Sequence, residues 1–261
     1  MKTFQILMAT MHKSKISDLD WNYKNTSANI LLINQSDFSD IEVSNNIKMI
    51  STTDRGSSNS RNMAIKNSDA DICLISDDDV RYIDDVDTIV TNAFDENPTA
   101  DIITFQIITP EGNPFNSGYI KNKRWHTKRT ILKCASIEIA FKRDKIIEHN
   151  LLLDTDFGLG SKYRVHDEVI FLNDALKAGL KLLYIPIPIV YHPAESSGTD
   201  YNDHLIISKG AAFIRLFGRI GFVMNILFAL KKHREYSHKY SFFSFMKKIN
   251  SGSIKYLKEK K

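Results

Sequence analysis

Five short apolar runs, separated by stretches with helical spacing, constrain this chain more than anything else in it. Phe4–Ala9, Asn29–Ile33, Ile47–Ser51, Ile72–Ser76 and Asp101–Ile108 read as strands, and Lys15–Lys24, Ser58–Asn67 and Asp84–Asn97 read as helices between them. Parallel strands need a crossover that is usually helical, so this alternation predicts an α/β domain built on a mixed, mostly parallel sheet flanked by helices. Further along, Asn113–Arg129 is polar and reads as an exposed connection or loose hairpin. Cys134–Phe141 resumes strand character, and Val165–Ala178 has the length of a helix ended by Gly179. Leu180–Val190 reads as a strand whose Pro186 and Pro188 place it on an edge.

The remainder divides the chain into residues 1–203, the α/β domain, and 204–261, a helical and basic extension. Net charge is +4, but residues 231–261 hold ten Lys/Arg against Glu235 and Glu259. Charge confined to one end argues against a nucleic-acid partner, which asks for basic residues on the folded body, and suits an anionic membrane surface better. Within Phe213–Leu230, Leu216, Ile220, Val223 and Leu227 share one helical face while Arg215 and Arg219 share another. Two arginines at about 2.5–3.5 kcal/mol each make a membrane span costly. A helix packed on the domain and an amphipathic helix in contact with a membrane both remain open.

Cys73 and Cys134 lie far apart, with no disulfide or zinc-ligand spacing, and fit a reducing cytosol. The N-terminal MKTFQILMATMHK lacks the small-residue cleavage site of a signal peptide and reads as the first strand.

The strongest chemical signal is Ser76-Asp77-Asp78-Asp79, which closes the apolar run Ile72-Cys73-Leu74-Ile75. Adjacent carboxylates at a strand end repel one another unless a cation sits among them, and oxygen ligands select a hard divalent ion, Mg2+ or Mn2+. An acidic turn capping the next helix is the alternative; Asp84, Asp85 and Asp87 continue the run, so some of these acids must serve as caps. Upstream, Asp54-Arg55-Gly56-Ser57-Ser58-Asn59-Ser60-Arg61-Asn62 enters a helix. Its start and the guanidinium of Arg55 or Arg61 would suit a diphosphate. The glycine spacing of a P-loop or dinucleotide fold is missing. Gly158 and Gly160, in Phe157-Gly158-Leu159-Gly160-Ser161, let backbone approach a ligand, so this loop and Ser161 are candidates for an acceptor pocket, a plain turn being the alternative.

In their order, the Arg61-Asn62 helix start and the apolar strand ending in Asp77-Asp78-Asp79 resemble the nucleotide-sugar-dependent glycosyltransferases of family 2, across about residues 3–200. The resemblance implies a GT-A fold and an inverting transferase of bacterial surface-polysaccharide synthesis. Its donor would be a nucleotide-diphosphate sugar, UDP-linked, and its acceptor a glycan or lipid-linked saccharide. It further implies that the acidic motif binds metal and ribose: Asp78 and Asp79 with His192 as metal ligands, and Asp77 with the nucleotide, although the register among the three acids stays open. Family members begin with a Pro-Thr-Tyr-Asn-like turn; here Ala9-Thr10-Met11-His12 stands in its place, making Thr10 and Met11 nucleotide contacts. Asp37, after the second strand, matches the acid presented to the base. Asp167-Glu168 matches the acid pair at a helix start whose second member is the catalytic base, so Glu168 is favoured over Asp167. Glu195 is a further substrate-contact candidate. The implied location is cytoplasmic, peripheral on the inner membrane face. A sugar nucleotidyltransferase and an inactive polysaccharide-assembly binding protein are the competing readings; the first normally has a glycine-rich basic loop, absent from Met8–Lys15.

Overall fold

The computed structural model describes residues 2–19, 26–116, 118–193 and 201–260. The strands are β1 (Phe4–Met11), β2 (Asn29–Gln35), β3 (Asp40–Ser44), β4 (Ile47–Thr52), β5 (Ile72–Asp77), β6 (Arg81–Tyr82), β7 (Ile102–Ile108), β8 (Arg124–Trp125), β9 (Ile139–Lys142) and β10 (Leu182–Tyr191). The helices are α1 (Ser57–Asn67), α2 (Val86–Glu96), α3 (Arg143–Glu148), α4 (Asp167–Lys177), α5 (Asp203–Phe217), α6 (Gly221–Lys231), α7 (His233–Tyr236) and α8 (Phe242–Glu259).

The strands form one sheet in the order β3-β4-β2-β1-β5-β9-β7-β10-β6, with β8 also on β10. The long strands β4, β2, β1, β5, β7 and β10 run one way, while the short strands β3, β9, β6 and β8 run against them. Alternation along β1 explains the layering. Phe4, Ile6 and Met8 join the cluster that takes in Val86, Val90 and Phe94 of α2. Leu7, from the same strand, joins Ala64 and Ile65 of α1, Ile146 of α3 and Phe171 of α4 on the other face. Gly179 closes α4 at φ +87, a conformation that glycine adopts without strain.

After β1 the chain crosses to β2 and β4 on one side, then returns to β5 on the other. That switch point opens a crevice at the carboxyl ends of β1 and β5, where open α/β sheets bind ligands.

Several expectations need correction. Lys15–Lys24 is not a helix in its described part: only a 3-10 turn, Ile16–Asp18, forms, because the Asp18 carboxylate turns back onto the amides of Ser14 and Lys15 and Leu19 is already extended. The edge strand β3, short and mostly exposed, carries no signal beyond Ile41 and Val43. Cys134–Phe141 is a strand only at its end: one 3-10 turn, Thr130–Lys133, precedes it, and a second, Ser136–Glu138, occupies it before the shorter β9 begins. The polar connection is ordered enough to add β8 to the sheet.

Nor is β10 simply an edge. It pairs with β7 near both of its ends, and its outer side meets β8 at Leu183–Tyr184 and β6 at Val190–Tyr191. Pro186 and Pro188 fall between those two, where no ladder donor is needed, and the register with β7 shifts there. Phe213–Leu230 is broken at Gly218, φ +60, into α5 and α6.

The basic extension is no loose tail. In α8, Phe245 and Ile249 pack with Leu205, Ile206 and Phe213 of α5 and with Tyr236 of α7. A Cβ on Gly210 would lie 1.9 Å from the Ile249 carbonyl oxygen, and one on Gly252 would lie 1.9 Å from that of Ile207. The α5 and α8 backbones therefore touch at two glycines, with Ser253 Oγ donating to the Gly210 carbonyl at 2.8 Å. Arg215 fastens α5 to the α/β domain through Asp154 at 2.8 Å and Asp174 at 2.5 Å.

Candidate functional site

The three acids that follow one another in the chain part company in space. Asp77 ends β5 opposite Ala9 of β1, and its carboxylate accepts from Arg61 Nη2 at 2.8 Å. Asp78 accepts from the Thr10 hydroxyl at the end of β1. Asp79 turns toward His192, Oδ2 to Nε2 being 3.8 Å, because β6 pairs Arg81 with Tyr191 and so carries the two loops together. Burial, with Asp77 beside it, holds the Asp79 carboxyl above its ordinary range, and His192 opposes that rise.

Arg61 is the hub. It rises from α1 into a buried position, 7% exposed, and its Nη1 donates to Asp167 Oδ2 at 2.5 Å while Nη2 also reaches Ser136 Oγ at 3.0 Å. Burial works against its charge, but Asp77 and Asp167 outweigh that and hold it fully protonated. A guanidinium shared by two carboxylates is committed, so Arg61 reaches the site through its partners and has no fork left for a diphosphate.

The first α1 amide is committed too. Ser57 N donates to the Leu159 carbonyl at 2.8 Å, so the helix start offered to an anion lies under the Phe157–Ser161 loop. Gly158 and Gly160 serve this close approach: a Cβ on Gly158 would meet Ser57 Oγ at 2.4 Å and the Asp167 carboxyl at 3.0 Å, and one on Gly160 would crowd the Gly56 Cα at 3.2 Å. Ser161 faces Gly56, and the same loop lies beside the acid pair of α4.

At that helix start, His166 is left-handed, φ +65, and turns the chain so that Asp167 is buried against Arg61 while Glu168 follows half-buried. Burial and the Asp167 carboxylate hold Glu168 well above its ordinary range. A carboxyl in such surroundings is a stronger base once ionised.

Beyond the carboxyl end of β2, Arg55 pairs with Asp37 at 2.5 Å and donates to the Ser36 carbonyl at 2.7 Å. Gln35, which stands opposite Met11, accepts from Gly56 N at 2.8 Å. Thr10, Met11, Asp37 and Arg55 thus gather at the ends of β1 and β2, with Met11 half-exposed. Glu195 lies outside the described residues.

Three participants escaped the sequence reading. Ser136 touches both Arg61 and Asp77. Glu138, fully buried behind it, accepts from Tyr119 Oη at 2.5 Å, and burial pushes its carboxyl up to about 8. Lys209 of α5 is buried with its ammonium 5.3 Å from the Phe228 ring; burial holds that ammonium below the ordinary lysine range, and the Glu168 carboxylate opposes the fall. A lone Ser-Ile-Glu and a lysine in an apolar run offer no spacing rule that could have found them.

No set of three His, Cys, Asp or Glu side chains converges as a metal cage among the described residues. Asp79 and His192 fit a different kind of site: two protein donors, one oxygen and one imidazole, which leave most positions on a Mn2+- or Mg2+-like ion for phosphate oxygens and water.

Comparison with known proteins agrees with this architecture. Residues 36–152 match the family Glycosyl transferase family 2. No curated protein matches the chain. Among solved structures, TarS 1-349 of S. aureus in complex with UDP-GlcNAc superposes with TM-score 0.61 at 11% identity, covering 92% of this chain and 76% of that one. The same TarS fragment in complex with UDP gives 0.60 at 12% identity, covering 92% and 75%. A longer TarS chain gives 0.59 at 11% identity, and this chain spans 46% of it.

Proposed function

From a chain with the GT-A glycosyltransferase fold whose residues 36–152 match glycosyl transferase family 2, we propose a metal-dependent inverting glycosyltransferase that moves a sugar from a UDP-type donor to a glycan or lipid-linked saccharide of a bacterial surface polysaccharide. The observation that carries this reading is Arg61, which binds Asp77 at the donor crevice and Asp167 beside the candidate base, although these acids lie far apart in the chain. The similar TarS structures hold UDP and UDP-GlcNAc, which supports the donor class.

In this reading the nucleotide lies across the ends of β1 and β2, with Thr10, Met11, Asp37 and Arg55 around the base and Asp77 toward the ribose. Asp79 and His192, with Asp78 beside them, hold a divalent ion, which supplies positive charge to the diphosphate leaving group. The acceptor enters beside Gly158, Gly160 and Ser161. Glu168 takes the acceptor hydroxyl proton as that oxygen attacks the anomeric carbon from the face opposite the diphosphate. The C–O bond to phosphate breaks and the configuration inverts. Asp167 keeps Arg61 in place and, as a neighbouring anion, raises the basicity of Glu168.

Transfer assays with a panel of UDP-sugars, with and without Mn2+, test the reading. Glu168→Gln is expected to lower turnover by about 10²–10⁴-fold with UDP binding retained. In the wild type, the acid limb of the rate profile should stand above the ordinary carboxylate range, since Glu168 must be ionised to act. Full activity of Glu168→Gln, or no turnover of any sugar nucleotide by the wild type, would sink the proposal.

A further inference from the structure

We propose that the outer face of α6 docks on an anionic lipid bilayer, lying in the plane of the interface. The inner face of this helix is settled: Gly221, Asn225 and Ala229 are buried against the rest of the helical unit, Gly221 abutting the Phe213 carbonyl and Asn225 donating to Asn250 and Ser253. The opposite face carries Val223, Ile226, Leu227 and Leu230, continued by Ile220 of the preceding 3-10 turn, each between 45% and 66% exposed. Single exposed apolar side chains are ordinary; four on one short helix, with a fifth on the turn that leads into it, form a stripe that needs a partner.

Charge identifies the partner. Arg219 precedes the stripe and Lys231 and Arg234 follow it, all three exposed. Lys231 and Arg234 belong to the end of the chain where ten Lys/Arg face two Glu in residues 231–261. An apolar layer under anionic headgroups satisfies stripe and charge together. A second copy of this chain would bring two like-charged ends together.

The same structure explains why the segment lies on the membrane and does not cross it. Asp203–Lys231 is long and apolar enough to span by length and composition. Gly218 breaks it, Arg215 is ion-paired to Asp154 and Asp174, and Gly210 sits against the α8 backbone, so α5 cannot enter lipid without dismantling the helical unit. The docking stands on these contacts alone; its use, presenting the crevice to a lipid-linked saccharide acceptor, rests on the glycosyltransferase reading.

Flotation of the full chain with phosphatidylcholine vesicles, with and without phosphatidylglycerol, at low and high salt, tests the proposal. The wild type should float with the anionic vesicles, less so at high salt, and not with pure phosphatidylcholine. Val223→Gln with Leu227→Gln, both on the exposed face, should lose about tenfold or more of that binding while thermal unfolding is unchanged. Lys231→Gln with Arg234→Gln should weaken binding and flatten its salt dependence. Flotation of V223Q/L227Q equal to wild type would overturn the proposal. So would a wild type that ignores vesicles and forms a concentration-dependent dimer dissolved by the same pair. If the chain floats as expected but transfers no sugar, docking stands and the catalytic reading falls.

Discussion

The acidic edge of the sheet and the C-terminal helical unit are held together in opposite ways. At the edge, three elements send polar side chains to one guanidinium: Arg61 from α1 meets Asp77 of β5, Ser136 of a 3-10 turn and Asp167 of α4. In the helical unit two backbones touch at Gly210 and Gly252, and aromatic side chains fill the remainder, with Tyr236 stacked on Phe245 at 3.8 Å. A shared guanidinium needs exact partners and little area, whereas a glycine crossing needs the absence of side chains and much area. One region is therefore vulnerable to losing a charge, the other to gaining a methyl group.

Arg61→Met should separate the two most sharply. It strands Asp77 and Asp167 as unpaired acids, one of them deeply buried, at a cost of about 3–5 kcal/mol in chemical denaturation. The helical unit has no part in that network, so its own packing should survive in whatever native state remains. A loss below about 1 kcal/mol would mean that the hub is no more than a surface pair.

Gly210→Ala probes the other side. Helix propensity alone favours alanine by about 1 kcal/mol. The Ile249 carbonyl, 1.9 Å from the new Cβ, forces α5 and α8 apart, so we expect a net loss of about 1–2 kcal/mol by thermal unfolding. A net gain would show that the helices do not meet there.

The smallest effect concerns pH. Glu138, pushed up to about 8 by burial, stays protonated in the folded chain where the unfolded chain has released its proton. Its contribution is complete below the unfolded value and is lost as pH rises toward 8. His126, buried, is driven down to about 4, and His166, half-buried, is driven down to about 3. They act in the opposite sense: their contribution is complete above about 6.5 and is lost as pH falls. Stability should therefore peak near neutrality, and Glu138→Gln should remove about 1 kcal/mol of the decline between pH 6.5 and 8, read from denaturation midpoints across pH. An unchanged alkaline slope would place Glu138 in contact with water.

The contrast also explains what the sequence made legible. Strands and helices of the α/β domain show themselves through apolar runs, and the resemblance to family 2 glycosyltransferases rests on residues in local order. Arg61, Asp77 and Asp167 were each visible as chemistry, but their union was not, because an ion pair over such separations leaves no periodic trace. Reading Asp77, Asp78 and Asp79 as one cluster missed that Arg61, Thr10 and His192 each claim one of them. The break in the C-terminal helix was obscured because apolar spacing continues through Gly218; only its positive φ reveals that α5 turns inward and α6 stays outside. Lys15–Lys24 misled in the reverse direction, since polar alternation imitated a helix that Asp18 ends after one turn.

In the proposed reaction the crevice at β1 and β5 takes up a nucleoside diphosphate together with a divalent ion that Asp79 and His192 would hold. Calorimetric titration of UDP into the wild type and into Asp79→Asn/His192→Ala, with Mn2+ and with chelator, tests it most directly. The account predicts tight uptake by the wild type only with Mn2+, and about tenfold or greater weakening in the double variant. Equal UDP affinity in chelator and in Mn2+, unchanged by the substitutions, would contradict it.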